Sequence, residues 1–268
     1  MRDFYAPSNP APLDQADGLR RLFAGQRQRL LPLAANPHVP FCGQVLDRLA
    51  AVLAAQGHQV LVVDAADHSP APHELAMLDL AVCIEALSAR VSYLPARGLP
   101  MAHVDTRGCS GGFIDALQQA APHADVILLH ADAGDLARLL VRRSARPMLI
   151  GADHPESIKH AYATCKLLAQ RCGLMTFDLL LAAAPGSPRL NSMASSLAHC
   201  ADGFLGALLH DWAQIDPAGD VAGDADESLT RLLAAQMNLQ DAAGLPGAPR
   251  RGMTPALFAA PKTRHAHR

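Results

Sequence analysis

Short, wholly apolar segments that alternate with helical stretches are the feature that most constrains the fold of this chain. The segment HQVLVVDAAD, residues 58–67, has a β-branched apolar centre, and similar segments lie at 124–131, 146–152 and 177–184. Strands that are apolar on both faces are typical of a parallel sheet covered by helices on both sides. The pattern therefore predicts a doubly wound, mostly parallel α/β fold.

The rest of the chain completes this alternation. We expect two further strands, VSYLP at 91–95 and MAHV at 101–104. Apolar residues at helical spacing predict the intervening helices, which we place at 45–57, 74–88, 112–121, 134–143, 156–172 and 191–213.

The predicted organisation is one α/β domain with extensions at both ends. A flexible leader, 1–13, precedes a short amphipathic helix, 14–23, and the domain occupies 28–215. A second amphipathic helix is expected at 226–240, followed by a basic, Pro- and Gly-rich tail at 241–268 that we expect to be disordered. Half of the 268 residues are apolar, which is sufficient for one sizeable core.

Composition excludes several classes of function. A net charge of −2 gives no general electrostatic footprint for nucleic acid. No run of 18 apolar residues occurs and the first residues lack the apolar region of a signal peptide, so we expect a cytoplasmic protein. The six cysteines form no CxxC pair and are expected to be reduced and buried, and the histidines lack the spacing of a metal site.

Four segments carry a resemblance to a known family. Asp14, Gln15, Ala16, Leu19 and Arg20 match a DQAxxLR motif, and residues 49–67, 125–134 and 155–171 follow in a matching order. Together they resemble the MinD/ParA class of ATPases and, within it, the FlhG (FleN) regulators of flagellar number and placement. The resemblance covers roughly residues 14–210 and implies the fold of that class.

The segment at the position of the family's phosphate-binding loop departs from its pattern. A P-loop uses glycine amides, a lysine and a Ser or Thr hydroxyl to hold phosphates and Mg²⁺. The corresponding AANPHVPFCGQ, residues 34–44, has one glycine and two prolines, and no Lys, Ser or Thr occurs from residue 9 to residue 68. Arg48, inside the following helix, is the nearest alternative cation. We therefore predict a pseudo-ATPase with no cofactor, at most weak ATP binding and no bound metal.

The resemblance also implies where a vestigial nucleotide site would lie. Its members in this chain are Asn36, Gly43, Asp64, Asp67, His130 and Gly134. His130 stands where the family has a metal-binding acidic residue, and His160 replaces another aspartate. Without a phosphate grip, we expect Asp64 and Asp67 to have structural roles.

The implied function depends on the N-terminal helix. In the similar family, the DQAxxLR helix stimulates the signal-recognition-type GTPase FlhF, and an amide side chain supplied in trans can orient the attacking water. Asp14, Gln15, Ala16, Leu19 and Arg20 would then bind the partner. The helix alternatively packs on its own domain. A second alternative is that the domain surface antagonises a flagellar transcription activator or contacts a basal-body component. Without nucleotide we expect a monomer, and the resemblance implies recruitment to the cell pole.

The C-terminal helix has two interpretations. Leu229, Leu232, Leu233 and Met237 are aligned on one face, which suits packing on the domain. Membrane attachment is the alternative, although Arg231 is the helix's one basic residue and faces two acidic residues, Asp226 and Glu227. We favour packing.

A competing motif points to a different class of function. GCSGG at 108–112 fits the Gly-x-Ser-x-Gly of serine hydrolases, with Ser110 as nucleophile. Asp132 or Asp153, with His154 or His199, would complete the order of a triad. The alternative is a turn in which Ser110 caps the next helix.

Overall fold

The structure is a computed structural model that describes residues 28–220 and 226–243. The predicted helix at 14–23 and its partner-binding residues, and the tail beyond 243, lie outside the described residues. Eight strands form one sheet. They are β1 Arg29–Ala34, β2 Val60–Asp64, β3 Glu85–Ala86, β4 Val91–Pro95, β5 Val126–Ala131, β6 Met148–Ala152, β7 Thr176–Ala182 and β8 Leu208–Ile215.

The strand order is β3-β4-β2-β5-β1-β6-β7-β8. Every neighbouring pair is parallel except β3 with β4, which is antiparallel. The central strands β1, β2 and β5 are apolar because helices cover both faces of the sheet. This arrangement confirms the predicted doubly wound, mostly parallel α/β fold.

Seven α-helices accompany the sheet in the described residues. They are α1 Cys42–Ala55, α2 Leu99–Ala102, α3 Gly111–Ala120, α4 Ala133–Leu139, α5 Pro155–Cys172, α6 Leu190–Leu205 and α7 Glu227–Ala243. Helices α1 and α7 lie on one face, where Leu49 and Leu53 of α1 and Leu232 and Leu233 of α7 belong to the same apolar core. The apolar side chains of α3, α4, α5 and α6 form the core on the other face.

The predicted strand at 101–104 is wrong, because this segment includes the end of a short helix. Gly98 has a left-handed backbone, with φ of 77°, and Pro100 stands in the first turn of α2. Proline is favoured at that position because its missing N–H would have no helical partner there and its φ already suits a helix. The apolar residues of MAHV therefore belong to a helical turn and its end rather than to a strand.

The predicted helix at 74–88 is also wrong. Two 3₁₀ turns, Glu74–Met77 and Ala81–Cys83, are followed by the short strand β3. The Asp79 side chain accepts the N–H of Ala81, and such local bonds compete with a continuous helix.

The single helix predicted at 191–213 is two separate elements in the structure, a helix and a strand. Helix α6 ends at Leu205, and Gly206 takes a left-handed conformation, with φ of 64°, that closes its C-terminus. The next residues form β8, which pairs in parallel with β7. The edge strand β8 was missed because Gly206 was not interpreted as a helix end.

Helix α7 packs on the domain. Its four aligned apolar side chains, Leu229, Leu232, Leu233 and Met237, are all at most 5% exposed. Gln236 is buried as well, and Arg231 forms an ion pair with Asp211 of β8. The apolar face is therefore occupied by the sheet, as the packing interpretation predicted. Among the described residues, no helix has both the length and the apolarity that crossing a membrane requires.

Candidate functional site

The connection between β1 and α1 stands at the carboxyl edge of the sheet, where open α/β folds bind ligands. Its backbone amides are largely committed to internal bonds. The N–H of Ala35 donates to Ala131 O, and the N–H of Val39 donates to Asn36 O, at 2.9 and 3.0 Å. The N–H of His38 donates to Oδ1 of Asn36 at 3.1 Å. Pro37 and Pro40 supply no N–H, so few amides in this loop are free to hold an anion.

Asn36 stabilises this loop from within. Its side chain is 4% exposed, and Nδ2 donates to the carbonyl of Ile150 at 2.7 Å and to that of Ser157 at 2.9 Å. These bonds tie the loop to β6 and α5. Asn36, predicted as part of a vestigial nucleotide site, is therefore saturated by protein groups.

A pocket of about 650 Å³ opens beside the loop. Four carboxylates line it, those of Asp47, Asp64, Glu85 and Asp132. Among the described residues that line this pocket, none is a lysine or an arginine. Carboxylates repel a triphosphate, and a cation within a few ångströms would be needed to offset that repulsion.

Arg48 does not supply this cation. Its side chain is 9% exposed, and Nη1 donates to the carbonyl of Asp220 at 2.9 Å. The guanidinium thus contacts the segment that follows β8, and Arg48 is not among the residues that line the pocket.

Two of the predicted site residues meet in the pocket wall. Asp64 is the last residue of β2, and the sheet register places it directly beside His130 of β5. Both side chains point to the face covered by α1, because alternate residues of each strand face the same side. Nδ1 of His130 lies 2.7 Å from Oδ1 of Asp64. His130 and Asp64, both predicted as members of a vestigial nucleotide site, are therefore paired with each other.

Two hydroxyl groups complete the surroundings of Asp64. Ser69 Oγ donates to Oδ1, and Tyr93 Oη donates to Oδ2 at 3.3 Å. On the other side of the imidazole, Nε2 of His130 lies 3.4 Å from Sγ of Cys42, the first residue of α1. One carboxylate and one thiol therefore flank the same ring.

These contacts move the pKa values of the buried pair. Burial opposes the charge on each group, but hydrogen bonds from His130, Ser69 and Tyr93 keep the pKa of Asp64 below its usual range. Burial also disfavours charged His130, yet the bonds to Asp64 and Cys42 raise its pKa to about 9. Burial and the neighbouring Asp64 carboxylate raise the pKa of Tyr93. At neutral pH the pair is therefore a carboxylate and an imidazolium.

The other predicted site residues are separated from this pair. Gly43, the second residue of α1, lines the pocket, and a Cβ built on it meets nothing within 4 Å. Asp67 is exposed, and its N–H donates to Oδ2 of Asp132 at 2.7 Å. Asp67 and Gly134 are not among the lining residues. The structure thus brings together Asn36, Gly43, Asp64 and His130, while Asp67 and Gly134 lie outside the pocket wall.

The serine-hydrolase alternative is wrong for Ser110. Its side chain is fully buried, and Oγ has no hydrogen-bond partner among the described residues. The preceding elements are α2 and a turn rather than a strand, so the segment is not a nucleophile elbow. Ser110 does stand at the N-cap of α3, but its side chain makes no capping bond.

Three of the four residues considered as triad partners have other roles. His154 caps α5 by accepting the N–H of Glu156 through Nδ1 at 3.2 Å. Asp153 accepts a hydrogen bond from Ser187 Oγ, and Asp132 accepts one from the backbone of Asp67.

The cysteines depart from expectation in one respect. All six are free thiols, but only Cys83 and Cys165 are buried. Cys42, Cys109, Cys172 and Cys200 are partly exposed. Among the described residues, no group of three His, Cys, Asp or Glu side chains is arranged around a common point where a metal ion would bind.

Cys42, Ser69 and Tyr93 are site residues that sequence reasoning missed. Cys42 on α1 and Tyr93 on β4 reach His130 and Asp64 only through the sheet order, whereas Ser69 lies in the loop after β2, five residues from Asp64. The one available signal was the position of Cys42 within the segment aligned with a phosphate-binding loop.

Comparisons with known proteins locate the fold. No protein-family model matches the chain, and no curated protein matches it by sequence. The MinD cell division protein of Aquifex aeolicus is similar in structure, with a TM-score of 0.53 at 11% identity, over 78% of this chain and 97% of that one. A plasmid partition protein of Borrelia burgdorferi B31, bound to AMPPNP, gives 0.54 at 7% identity over 81% and 100%.

A third similar structure is the cobyrinic acid a,c-diamide synthase of Mycobacterium smegmatis with bound ADP and magnesium. Its TM-score is 0.55 at 14% identity, over 81% of this chain and 96% of that one. At these identities the comparisons establish a common fold. The chain therefore has the MinD/ParA-type α/β fold.

Proposed function

We propose that this chain is a pseudo-ATPase of the MinD/ParA fold that regulates flagellar number and placement by protein contact. In this proposal its DQAxxLR helix stimulates an FlhF-type GTPase, and the domain carries that helix without using ATP. The protein acts in the cytoplasm as a monomer, and a partner recruits it to the cell pole.

The charge of the pocket is the observation that carries the proposal. Asp47, Glu85 and Asp132 line the space beside the β1–α1 loop together with the Asp64–His130 ion pair, and no Lys or Arg is among its described lining residues. A nucleotide triphosphate brings several negative charges of its own. Its binding there would place like charges together in a partly enclosed site, which is unfavourable.

The bonding of the β1–α1 loop supports the same conclusion. Asn36 accepts the N–H of His38 through its side chain and that of Val39 through its carbonyl. The amides of His38 and Val39 are therefore occupied within the loop and are not free to hold a phosphate. Hydrolysis also requires a group that holds Mg²⁺, and His130 stands where the similar family has an acid.

The N-terminal motif supports the choice of partner. The chain retains the residue types of the motif through which the similar family contacts its GTPase. They are Asp14, Gln15, Ala16, Leu19 and Arg20. A helix that stimulates a partner enzyme needs only to be attached to a folded domain. Its action is therefore compatible with a domain whose pocket binds no nucleotide. Gln15 would orient the attacking water, and Arg20 would pair with an acidic surface of the partner.

The test mixes the full chain with a purified FlhF-type GTPase and follows phosphate release from GTP. We expect turnover to rise by roughly tenfold or more, which corresponds to about 1.4 kcal/mol of barrier. Gln15→Ala should abolish the rise, whereas Gln26→Ala, a matched change outside the motif, should leave it intact. Unchanged turnover on adding the wild-type chain would remove the activator role.

The alternative is antagonism of a flagellar transcription activator through the domain surface. One observation favours it: Met77, Leu78 and Val82 are 60%, 85% and 64% exposed in the segment between β2 and β3. Clustered exposed apolar side chains often mark protein contacts. Leu78→Ser should then abolish binding to the transcription activator while GTPase stimulation is retained. That result would support antagonism of the activator as a separate role of the domain surface.

A further inference from the structure

We propose that Cys42, His130 and Asp64 form a nucleophilic site that accepts acyl groups from uncharged esters. The site lies in the pocket beside the β1–α1 loop, and its proposed chemistry is independent of the N-terminal helix. The geometry that points to it is a carboxylate, an imidazole and a thiol in series.

The order of contacts along the imidazole is the order that nucleophilic catalysis requires. Nδ1 of His130 faces Oδ1 of Asp64 at 2.7 Å, and Nε2 faces Sγ of Cys42 at 3.4 Å. A carboxylate on Nδ1 fixes the ring orientation and leaves Nε2 to exchange a proton with the nucleophile. Because the thiol and the carboxylate occupy opposite nitrogens, the three groups do not converge on a common metal position.

A nucleophilic site needs a buried supporting pair and an accessible nucleophile, and these three residues are exposed to solvent in that way. His130 and Asp64 are 4% and 8% exposed, whereas Cys42 is only partly covered and borders the pocket. The supporting pair is thus rigid and shielded, and the thiol is accessible. Ser69 and Tyr93 hold the carboxylate from behind, as outer groups that orient a catalytic residue do.

The ring is also in the appropriate protonation state. Although burial lowers it, the pKa of His130 reaches about 9 because of Asp64 and Cys42. At neutral pH the ring therefore carries the proton that a leaving group must receive.

The first turn of α1 places hydrogen-bond donors next to the thiol. Cys42 and Gly43 are its first two residues, and amides at a helix start have no carbonyl one turn earlier to accept them. Such amides stabilise the oxyanion of a tetrahedral intermediate. The space above Gly43 is open, so the carbonyl of a substrate has room to approach.

The lining determines the class of substrate. A volume of about 650 Å³ is suitable for a small organic molecule. Asp47, Glu85 and Asp132 disfavour anionic compounds, including phosphorylated acyl carriers. This lining argues against anionic acyl donors, and an uncharged ester is the donor class that the proposal takes.

The reaction has two balanced steps. The Cys42 thiol gives its proton to solvent water, which returns it when the thiol is restored, and Sγ attacks the ester carbonyl carbon, forming the S–C bond. The C–O bond to the alcohol then breaks, and His130 gives its proton to the departing oxygen. In the second step His130 takes a proton from water, the hydroxide adds to the same carbon, and the C–S bond breaks. The products are the carboxylic acid, the alcohol and the restored thiol.

The test uses p-nitrophenyl acetate on the full chain, with release of p-nitrophenol and the mass of tryptic peptides as readouts. We expect a burst close to one equivalent and an acetyl group on Cys42. Cys42→Ser should lose the burst, and His130→Gln should slow acetylation by roughly 100-fold or more. Cys200→Ser, which changes another partly exposed thiol, should leave the burst unaltered.

Two results would overturn the proposal. One is the absence of an acetyl group on Cys42 in the wild-type protein, a measurement that does not depend on whether any variant folds. The other is acetylation of Cys42 at the wild-type rate in a folded His130→Gln variant, which would reduce Cys42 to an ordinary accessible thiol.

Discussion

Gln236 of α7 donates from Nε2 to Oδ2 of Asp178 in β7 at 2.7 Å, and both side chains are buried. The same nitrogen donates to the carbonyl of Arg146, whose own side chain lies 2.9 Å from that carboxylate oxygen. Burial raises the pKa of Asp178, and the partners named here partly offset that effect. Helix α7 therefore supplies a bond that a buried carboxylate needs, in addition to apolar contacts.

The first prediction concerns this bond. Gln236→Ala should lower the free energy of unfolding by about 1–3 kcal/mol, because it leaves a buried carboxylate oxygen without one of its donors. Urea unfolding measures the change. Gln119→Ala on the exposed side of α3 is the control and should stay within about 0.5 kcal/mol of wild type. An equal effect of both changes would mean that the Gln236–Asp178 bond does not contribute.

The second prediction concerns the apolar face of α7. Leu233 is fully buried between α7 and the sheet, so Leu233→Ala should destabilise the protein by about 2–5 kcal/mol. Thr230→Ala, an exposed change on the same helix, should have little effect. If α7 instead detached to bind lipid, Leu233→Ala would hardly change the unfolding midpoint.

The third prediction is a pH dependence of stability. The pKa of His130 is about 9 in the folded protein and an ordinary 6.5 in the unfolded chain. Protonated His130 therefore contributes its full stabilisation below about pH 6.5, and that stabilisation is lost as the pH rises through about 9. The stability difference between wild type and His130→Gln should therefore shrink, by up to about 3 kcal/mol, between about pH 6 and pH 10. Denaturant unfolding across this range measures it. A difference that stays constant would contradict the His130–Asp64 pairing.

The fourth prediction concerns Ser110. Its buried Oγ has no partner among the described residues, so Ser110→Ala should be neutral or stabilising by up to about 1 kcal/mol. The thermal midpoint measures this effect. A fluorophosphonate probe should also leave Ser110 unlabelled, and labelling at that residue would restore the hydrolase interpretation.

The sequence predicted the sheet well, because its central strands are buried on both faces and therefore consist of continuous apolar runs. Val60–Asp64 and Val126–Ala131 are of this kind. Elements at the margin of the sheet carry weaker patterns. Strand β8 mixes exposed, partly buried and buried residues, so its sequence lacks a continuous apolar run and resembled a continuation of α6.

The candidate site was predictable only in part. Asp64 and His130 were identified from the family resemblance, which aligned them with nucleotide-site positions at or near strand ends. Cys42 belongs to a helix start that is 88 positions from His130, and only the fold brings the two within 3.4 Å. A prediction of this contact requires the strand order, which local patterns do not contain.

The central claim is that the pocket beside the β1–α1 loop does not hold a triphosphate. The most direct measurement is the thermal midpoint of the purified chain with and without ATP and Mg²⁺ at about 5 mM, together with phosphate release. Binding with a Kd of about 0.5 mM would add roughly 1.4 kcal/mol of stability. We predict no rise in the midpoint and no phosphate release. ATP hydrolysis that Gly43→Val abolishes, in a variant as stable as the wild type, would contradict the account.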